Sequence, residues 1–249
     1  MKIAFGQKTA LVTGAGRDES NEGIGRELVK KLVECDAKVI AFSKTKENLD
    51  SLKLEVPQVQ TFQVDVSDWN STKALISQIG PIDLLVNNAG YACCQAVGEV
   101  TEEEFDKVFN INVKSIVNIT QEIAKAMIKR GKGGSIVNIS SQASMVALKD
   151  HLVYGASKAA VDQLTRTFAL ELGHYNIRVN SVNPTVVNTD MGKVGWSDPA
   201  KAKSMLDKIP LHRFAEPVEV VDTVLFLLSD KAAMISGVLL PIDGGFIAC

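Results

Sequence analysis

Short runs of β-branched and apolar residues alternate along this chain with stretches whose apolar positions recur at helical spacing. The runs are Thr9-Ala10-Leu11-Val12-Thr13, Lys38-Val39-Ile40-Ala41-Phe42, Gln60-Thr61-Phe62-Gln63-Val64, Leu84-Leu85-Val86, Ser135-Ile136-Val137-Asn138-Ile139 and Arg178-Val179-Asn180-Ser181-Val182. Helical periodicity covers residues 24–35, 45–54, 68–79, 101–130, 153–173 and 217–229. The strand-like runs are continuously apolar, as expected when helices cover both faces of a parallel sheet. The pattern predicts a doubly wound α/β fold, with helices on both faces of the sheet, in one domain. Residues Thr185 to about Asp198 form the longest region without clear periodicity, and loops of that length often cover sites.

Composition narrows the classes of function. Across 249 residues no linker composition divides the chain, which is long enough for one large core. Its 27 basic and 29 acidic residues leave a formal charge of -2 with no basic block, so no nucleic-acid footprint is expected. Neither a signal-peptide core nor an apolar run long enough to span a membrane is present, which predicts a cytoplasmic protein with no integral membrane segment. Cys35, Cys93, Cys94 and Cys249 form no metal or disulfide pattern and read as ordinary buried or terminal thiols in a reducing compartment. His151, His174 and His212 lack metal-ligand spacing, so no metal site is expected.

Candidate chemistry gathers between Ser141 and Lys158. Tyr154 and Lys158 are four residues apart, which on a helix puts them on one face. A free tyrosine has a pKa of about 10, and an adjacent ammonium that stabilises the phenolate makes it a better general acid near neutral pH. Near the N-terminus, Thr13-Gly14-Ala15-Gly16 is followed by Gly23-Ile24-Gly25 at a helix start. Such glycines serve either a plain tight turn or the close approach of backbone to a pyrophosphate, whose charge the helix N-terminus favours. The second strand runs into Ser43-Lys44-Thr45. An acid at this position would bond a ribose 2′-hydroxyl, whereas a cation suits a 2′-phosphate and hence NADPH; the plain alternative is a solvated lysine at a helix start.

Taken together, these residues resemble the short-chain dehydrogenase/reductase family over the whole chain. The resemblance rests on the glycine segment, Asn87-Asn88-Ala89-Gly90, Asn112, Ser141 and Tyr154 with Lys158, in that order. It implies a Rossmann-type fold and an oxidoreductase whose catalytic residues are Asn112, Ser141, Tyr154 and Lys158. Asn112 would fix a water and the bend of its helix, Ser141 would bond the substrate carbonyl, and Tyr154 would deliver the proton. Lys158 would hold the nicotinamide ribose and lower the Tyr154 pKa. NADPH/NADP+ would lie along Gly14, Gly16, Arg17, Gly23, Ile24, Gly25, Ser43, Lys44, Thr45, Asp65, Asn88, Ala89, Gly90, Tyr154, Lys158, Pro184, Val187 and Thr189. Asp65 would contact the adenine, while Val187 would present its backbone to the carboxamide. The cofactor half would be about residues 1–140 and the catalytic and substrate half about 141–249.

A closer resemblance, to members of the family that reduce short ketoses and dicarbonyls, rests on Asn183-Pro184-Thr185-Val186-Val187, Trp196-Ser197-Asp198-Pro199, Phe214-Ala215-Glu216 and the final Gly244-Gly245-Phe246-Ile247-Ala248-Cys249. It implies a pocket formed by Ser141, Gln142, His151, Tyr154 and Trp196, with polar groups for sugar hydroxyls and an apolar wall. The reading is an NADPH-dependent carbonyl reductase of a ketose and of α-dicarbonyls such as diacetyl, assembled as a homotetramer. Reduction of 3-oxoacyl thioesters or of another polyol's ketone remains open, as does a non-catalytic cofactor-binding scaffold. The chain departs from the family between Gly14 and Gly23, where five extra residues, Asp18-Glu19-Ser20-Asn21-Glu22, carry three acids. Those charges are expected to face solvent, away from a bound phosphate.

Overall fold

The computed structural model describes residues 3–16 and 23–248, the side chains of Met191, Lys193 and Val194 excepted. Arg17 and the segment Asp18 to Glu22 lie outside the described residues, as does Cys249. Among the described residues seven parallel strands stand in the order β3-β2-β1-β4-β5-β6-β7. They are β1 (Thr9–Thr13), β2 (Lys38–Ser43), β3 (Gln60–Gln63), β4 (Leu84–Asn87), β5 (Gly134–Ile139), β6 (Ile177–Pro184) and β7 (Leu239–Ile242). The helices are α1 (Ile24–Glu34), α2 (Lys46–Glu55), α3 (Trp69–Ile76), α4 (Glu102–Phe109), α5 (Ser115–Arg130), α6 (Leu152–Leu172), α7 (Asp190–Gly195), α8 (Pro199–Leu206) and α9 (Pro217–Leu228).

Alternate residues of the central strands enter two cores. Ala10, Val12, Leu84, Val86 and Val137 pack with Leu28 and Leu32 of α1 and with Val220, Val224 and Leu227 of α9. Leu11, Leu85 and Ile136 face the other way, onto Ile119, Ile123 and Met127 of α5. Truncating a leucine in such a layer to alanine costs about 2–5 kcal/mol, which holds the strand register firmly. The chain turns back between β3 and β4, so β1 and β4 are neighbours although two other strands intervene in sequence. Their loops diverge at the carboxyl ends and leave the crevice in which doubly wound folds bind ligands.

Three departures from the sequence expectation are instructive. The helix predicted over residues 101–130 is interrupted by a π-turn at Asn110–Lys114, a feature often found at functional sites. The region expected to be irregular holds α7 and leads into α8. Thr189 caps α7 by accepting from the Gly192 N–H, and the six residues contain two glycines, too short and too poor in apolar positions to show a period. Asp198 caps α8, with Pro199 in its first turn, a helix-start signal that the sequence did carry. The third departure is β7, which pairs on one side only and contains Pro241. An edge strand tolerates the missing donor, and four residues are too few for a reliable pattern.

Candidate active site

Where the glycine segment crosses the sheet top, its backbone touches the loop after β4. Gly14 has a φ of +65°, and a Cβ there would lie 2.7 Å from Ala89 Cα; at Gly25 it would lie 2.5 Å from Asn88 Nδ2 and from the Gly14 carbonyl. These positions require glycine because backbone packs on backbone. Asn88 completes the junction by donating Nδ2 to the carbonyls of Thr13 (2.9 Å) and Gly14 (3.1 Å). Gly23 stands at the N-cap of helix α1 and has no side chain to cap it. Its first N–H groups, with the helix dipole, suit an anion. Gly16 lies against Ser43, since a Cβ on it would come 2.9 Å from Ser43 Cβ and Oγ.

The cation expected to face a 2′-phosphate already has a partner. Lys44 Nζ is 2.8 Å from Asp65 Oδ2, and its side chain is 77% exposed. Burial works to raise the Asp65 carboxyl, but bonds from Lys44 and Ser67 outweigh it and hold the group below the usual carboxylate range. Asp65 therefore spends its oxygens on Lys44 and Ser67. An adenine contact would have to share them.

At the other end of the crevice the polar groups are buried and fixed. Asn112, in the π-turn, is fully buried. Its Oδ1 accepts from Tyr91 N (2.8 Å), while Nδ2 donates to Tyr91 O (2.9 Å) and Ser157 Oγ (3.0 Å). Ser157 Oγ in turn donates to the Tyr154 carbonyl at 2.7 Å. The amide thus ties the loop after β4 to the first turns of α6. Lys158 is 5% exposed, donates Nζ to the Ile139 carbonyl at 2.8 Å and lies 5.7 Å from the Tyr154 ring centre. A Cβ built on Gly90 would be 3.7 Å from both Asn112 Oδ1 and Lys158 Nζ. Asn112 and Lys158 therefore flank one spot, with the Tyr154 ring beside the lysine ammonium.

Ser141 ends β5's continuation and caps a short turn, its Oγ accepting from Ala143 N at 3.1 Å. Its side chain also acts on the Tyr154 phenol, pulling that group's pKa down. Burial pushes the Tyr154 phenol up; Ser141 opposes this and charge on Cys94 adds to it. The expected lowering by Lys158 is absent from this balance, because the lysine has already given up its proton by the pH at which a raised tyrosine titrates. Burial drops the Lys158 ammonium to about 8, against partial support from Asp162.

The remaining expected residues are also located. Gln142 is 2% exposed and its buried Oε1 has no hydrogen-bond partner, which leaves an acceptor for a ligand donor. His151 immediately precedes α6, 6.1 Å ring-to-ring from Tyr154. Its Nδ1 lies 2.6 Å from the Lys149 carbonyl and its Nε2 3.6 Å from Cys94 Sγ. Cys94 is exposed, contrary to the expectation of ordinary buried or terminal thiols. Trp196 follows α7, 6.2 Å from the Phe214 ring, with Lys201 Nζ 4.9 Å from its own ring centre. Pro184 ends β6, Val187 bridges to Ala215, and Thr189 caps α7.

Sequence reasoning missed the layer beneath the site. Asn87 Nδ2 donates to Asn138 Oδ1 (2.8 Å) and Thr120 Oγ1 (3.1 Å), and Asn138 Nδ2 to Thr165 Oγ1 (2.9 Å). Along the same buried face of α6, Asn183 Nδ2 bonds both Asp162 oxygens, at 3.1 and 3.0 Å. Asparagines inside apolar strands were the available signal. Among the described residues no group of His, Cys, Asp and Glu could hold a metal, and no helix is long and apolar enough to cross a membrane.

Comparison with known proteins follows the same lines. The family described as enoyl-(acyl carrier protein) reductase matches residues 19–247. The chain is 52% identical over 248 residues to L-xylulose reductase of Mus musculus, covering 100% of both chains. It is 44% identical over 248 residues to carbonyl reductase [NADPH] 2 of Sus scrofa, again covering 100% of each. A gluconate 5-dehydrogenase from Burkholderia cenocepacia, solved in complex with NADP and tartrate, superposes with a TM-score of 0.92 at 26% identity, covering 100% of this chain and 98% of that one.

Proposed function

The chain belongs to the short-chain dehydrogenase/reductase family of oxidoreductases, and from that premise we propose that it is an NADPH-dependent carbonyl reductase converting L-xylulose to xylitol and also reducing small α-dicarbonyls such as diacetyl. The observation that carries this reading is the Tyr154 ring 5.7 Å from the ammonium of a buried Lys158, with Ser141 pulling the phenol's pKa down. The identity to L-xylulose reductases supports the substrate.

Tyr154 acts as the acid. Its raised pKa keeps the phenol protonated before reaction, and the Lys158 ammonium offsets the charge that appears as the proton leaves for the carbonyl oxygen. That help requires a protonated lysine, so it is present below about 8 and lost above it. Ser141 orients the carbonyl, and Asn112 holds the α6 start in place. When bound, the nicotinamide supplies the hydride. Gly14, Gly16, Gly23, Ile24 and Gly25 would cradle its pyrophosphate, with Ser43, Lys44 and Thr45 toward the 2′-phosphate and Asp65 toward the adenine. Asn88, Ala89, Gly90, Pro184, Val187 and Thr189 would line the nicotinamide side. The free acceptor of Gln142 and the ring of His151 would take sugar hydroxyls, and Trp196 would close the apolar wall.

On this reading residues up to about 140 form the cofactor half and the remainder the substrate half of a cytoplasmic homotetramer. Exposed apolar side chains at Leu152 and Leu170 on α6, Phe105 on α4 and Met234 support burial between subunits. NADPH and NADH oxidation measured side by side with L-xylulose, diacetyl and a 3-oxoacyl thioester tests the proposal. Preference for NADPH with the first two is expected; turnover of the thioester alone would overturn it.

A further inference from the structure

The mechanism above has no use for a thiol, yet one is poised beside it. Cys94 Sγ lies 3.6 Å from His151 Nε2, and His151 Nδ1 lies 2.6 Å from the Lys149 carbonyl. A carbonyl only accepts, so Nδ1 carries the ring proton and Nε2 is free to take the proton of the thiol. Nucleophile, base and the group that orients the base are thus in line. A backbone bridge between Gln95 and His151 ties the two segments together, and the buried Oε1 of Gln95 has no hydrogen-bond partner. His151 pushes the Cys94 thiol down, with help from Lys201 against burial and Asp150, and Cys94 pushes His151 up. Cys35 and Cys93 go the opposite way, both raised first by burial. Among the described thiols only Cys94 combines exposure with a base. His151, which Cys94 meets at 3.6 Å, lies 6.1 Å ring-to-ring from Tyr154, so the thiol is one side chain removed from the reacting position.

We propose that Cys94 and His151 form a carbonyl-trapping site, in which the thiol adds reversibly to an α-dicarbonyl and the adduct obstructs Tyr154. Sγ forms a bond to one carbonyl carbon, and the C–O π pair moves to oxygen. The proton that Nε2 took from the thiol then passes to that oxygen, giving a hemithioacetal. No electron is gained or lost, and reversal expels the thiolate. The neighbouring carbonyl withdraws electron density and favours addition, which an isolated ketose carbonyl does not. The site would make the enzyme self-limiting when dicarbonyl accumulates. It extends the proposed function in supposing that dicarbonyls reach this place, but the thiol chemistry can be read without turnover.

The test follows iodoacetamide labelling of the full-length protein by peptide mass spectrometry, in borate-free buffer, with and without butane-2,3-dione. Cys94 should label about tenfold faster than Cys35 and Cys93, lose most of that advantage in His151→Asn, and be protected by the dione. Preincubation with the dione should lower NADPH-dependent turnover of wild type reversibly on dilution. Cys94→Ser should keep its basal rate and resist this inhibition. Equal labelling of the three cysteines, or equal inhibition of Cys94→Ser and wild type, would overturn the proposal. Protected, rapid labelling in a protein that reduces no carbonyl would uphold the trapping site and defeat the functional reading instead.

Discussion

The two ends of the crevice are built on opposite principles. Beyond β4 and β5, Asn112, Ser157 and Lys158 are buried and tied to backbone carbonyls, amides and one another. Beyond β2 and β3, Lys44 stands 77% exposed with a single carboxylate against it. The reaction end fixes geometry before any ligand arrives and carries the cost of a desolvated ammonium. The phosphate end keeps its charge in water, where it is cheap to maintain and worth little in any one contact. Proton transfer is sensitive to fractions of an ångström, whereas attraction to a phosphate is not.

If the reaction end depends on that geometry, Tyr154→Phe is the most damaging change. Turnover should fall roughly 10²–10⁴-fold while NADPH binding, followed by nucleotide fluorescence, stays nearly unchanged. A defect seen only in KM would remove Tyr154 from the proton step.

Lys158→Met probes the cost of the same design. Turnover should again collapse, yet the ligand-free fold should become more stable at neutral pH. The fall from 10.5 to about 8 corresponds to roughly 3 kcal/mol, part of which the lost bond to Ile139 takes back, leaving a gain of about 1–3 kcal/mol. The sign follows from proton counts. Between pH 8 and 10.5 the unfolded chain holds more protons at this residue, so wild-type stability rises with pH across that window and the advantage of the variant shrinks. Urea unfolding at pH 7 and pH 10 measures both effects; a variant less stable than wild type at pH 7 would contradict the account.

At the phosphate end a smaller effect is expected. Lys44→Ala should weaken NADPH roughly threefold to tenfold and leave NADH almost alone, because an exposed, already paired cation is screened. Titration at low and high salt sharpens the point, since the difference between variant and wild type should narrow with salt. Equal losses for both nucleotides would take Lys44 out of the site.

Trp196→Ala should have the mildest consequence, raising KM for L-xylulose about twofold to fivefold with NADPH affinity unchanged. Trp196 rests on Phe214 and under Lys201, so a parallel loss of cofactor affinity would identify it as packing and not as a wall of the substrate pocket.

Much of this molecule was legible along the chain. Six of the seven strands and the helices that cover them followed from runs whose alternate residues, such as Leu84, Leu85 and Val86, fill opposite cores. Tyr154 and Lys158 share a face because a helix repeats every 3.6 residues, and the glycines at 14 and 25 mark where backbone must meet backbone. These are local requirements, written in residues close in sequence.

Only the tertiary structure decided the rest. The π-turn carries Asn112, whose amide meets both the N–H and the carbonyl of Tyr91, and Asn87, Asn138, Thr120 and Thr165 meet only when β4, β5, α5 and α6 pack. Sequence proximity gave Lys44 a phosphate to face, whereas the β2–β3 pairing gives it Asp65. It likewise left Cys94 an ordinary thiol, although the fold sets it against His151, fifty-seven positions away. Periodicity encodes which face a residue presents to the core; what waits there depends on chain segments that the local pattern does not contain.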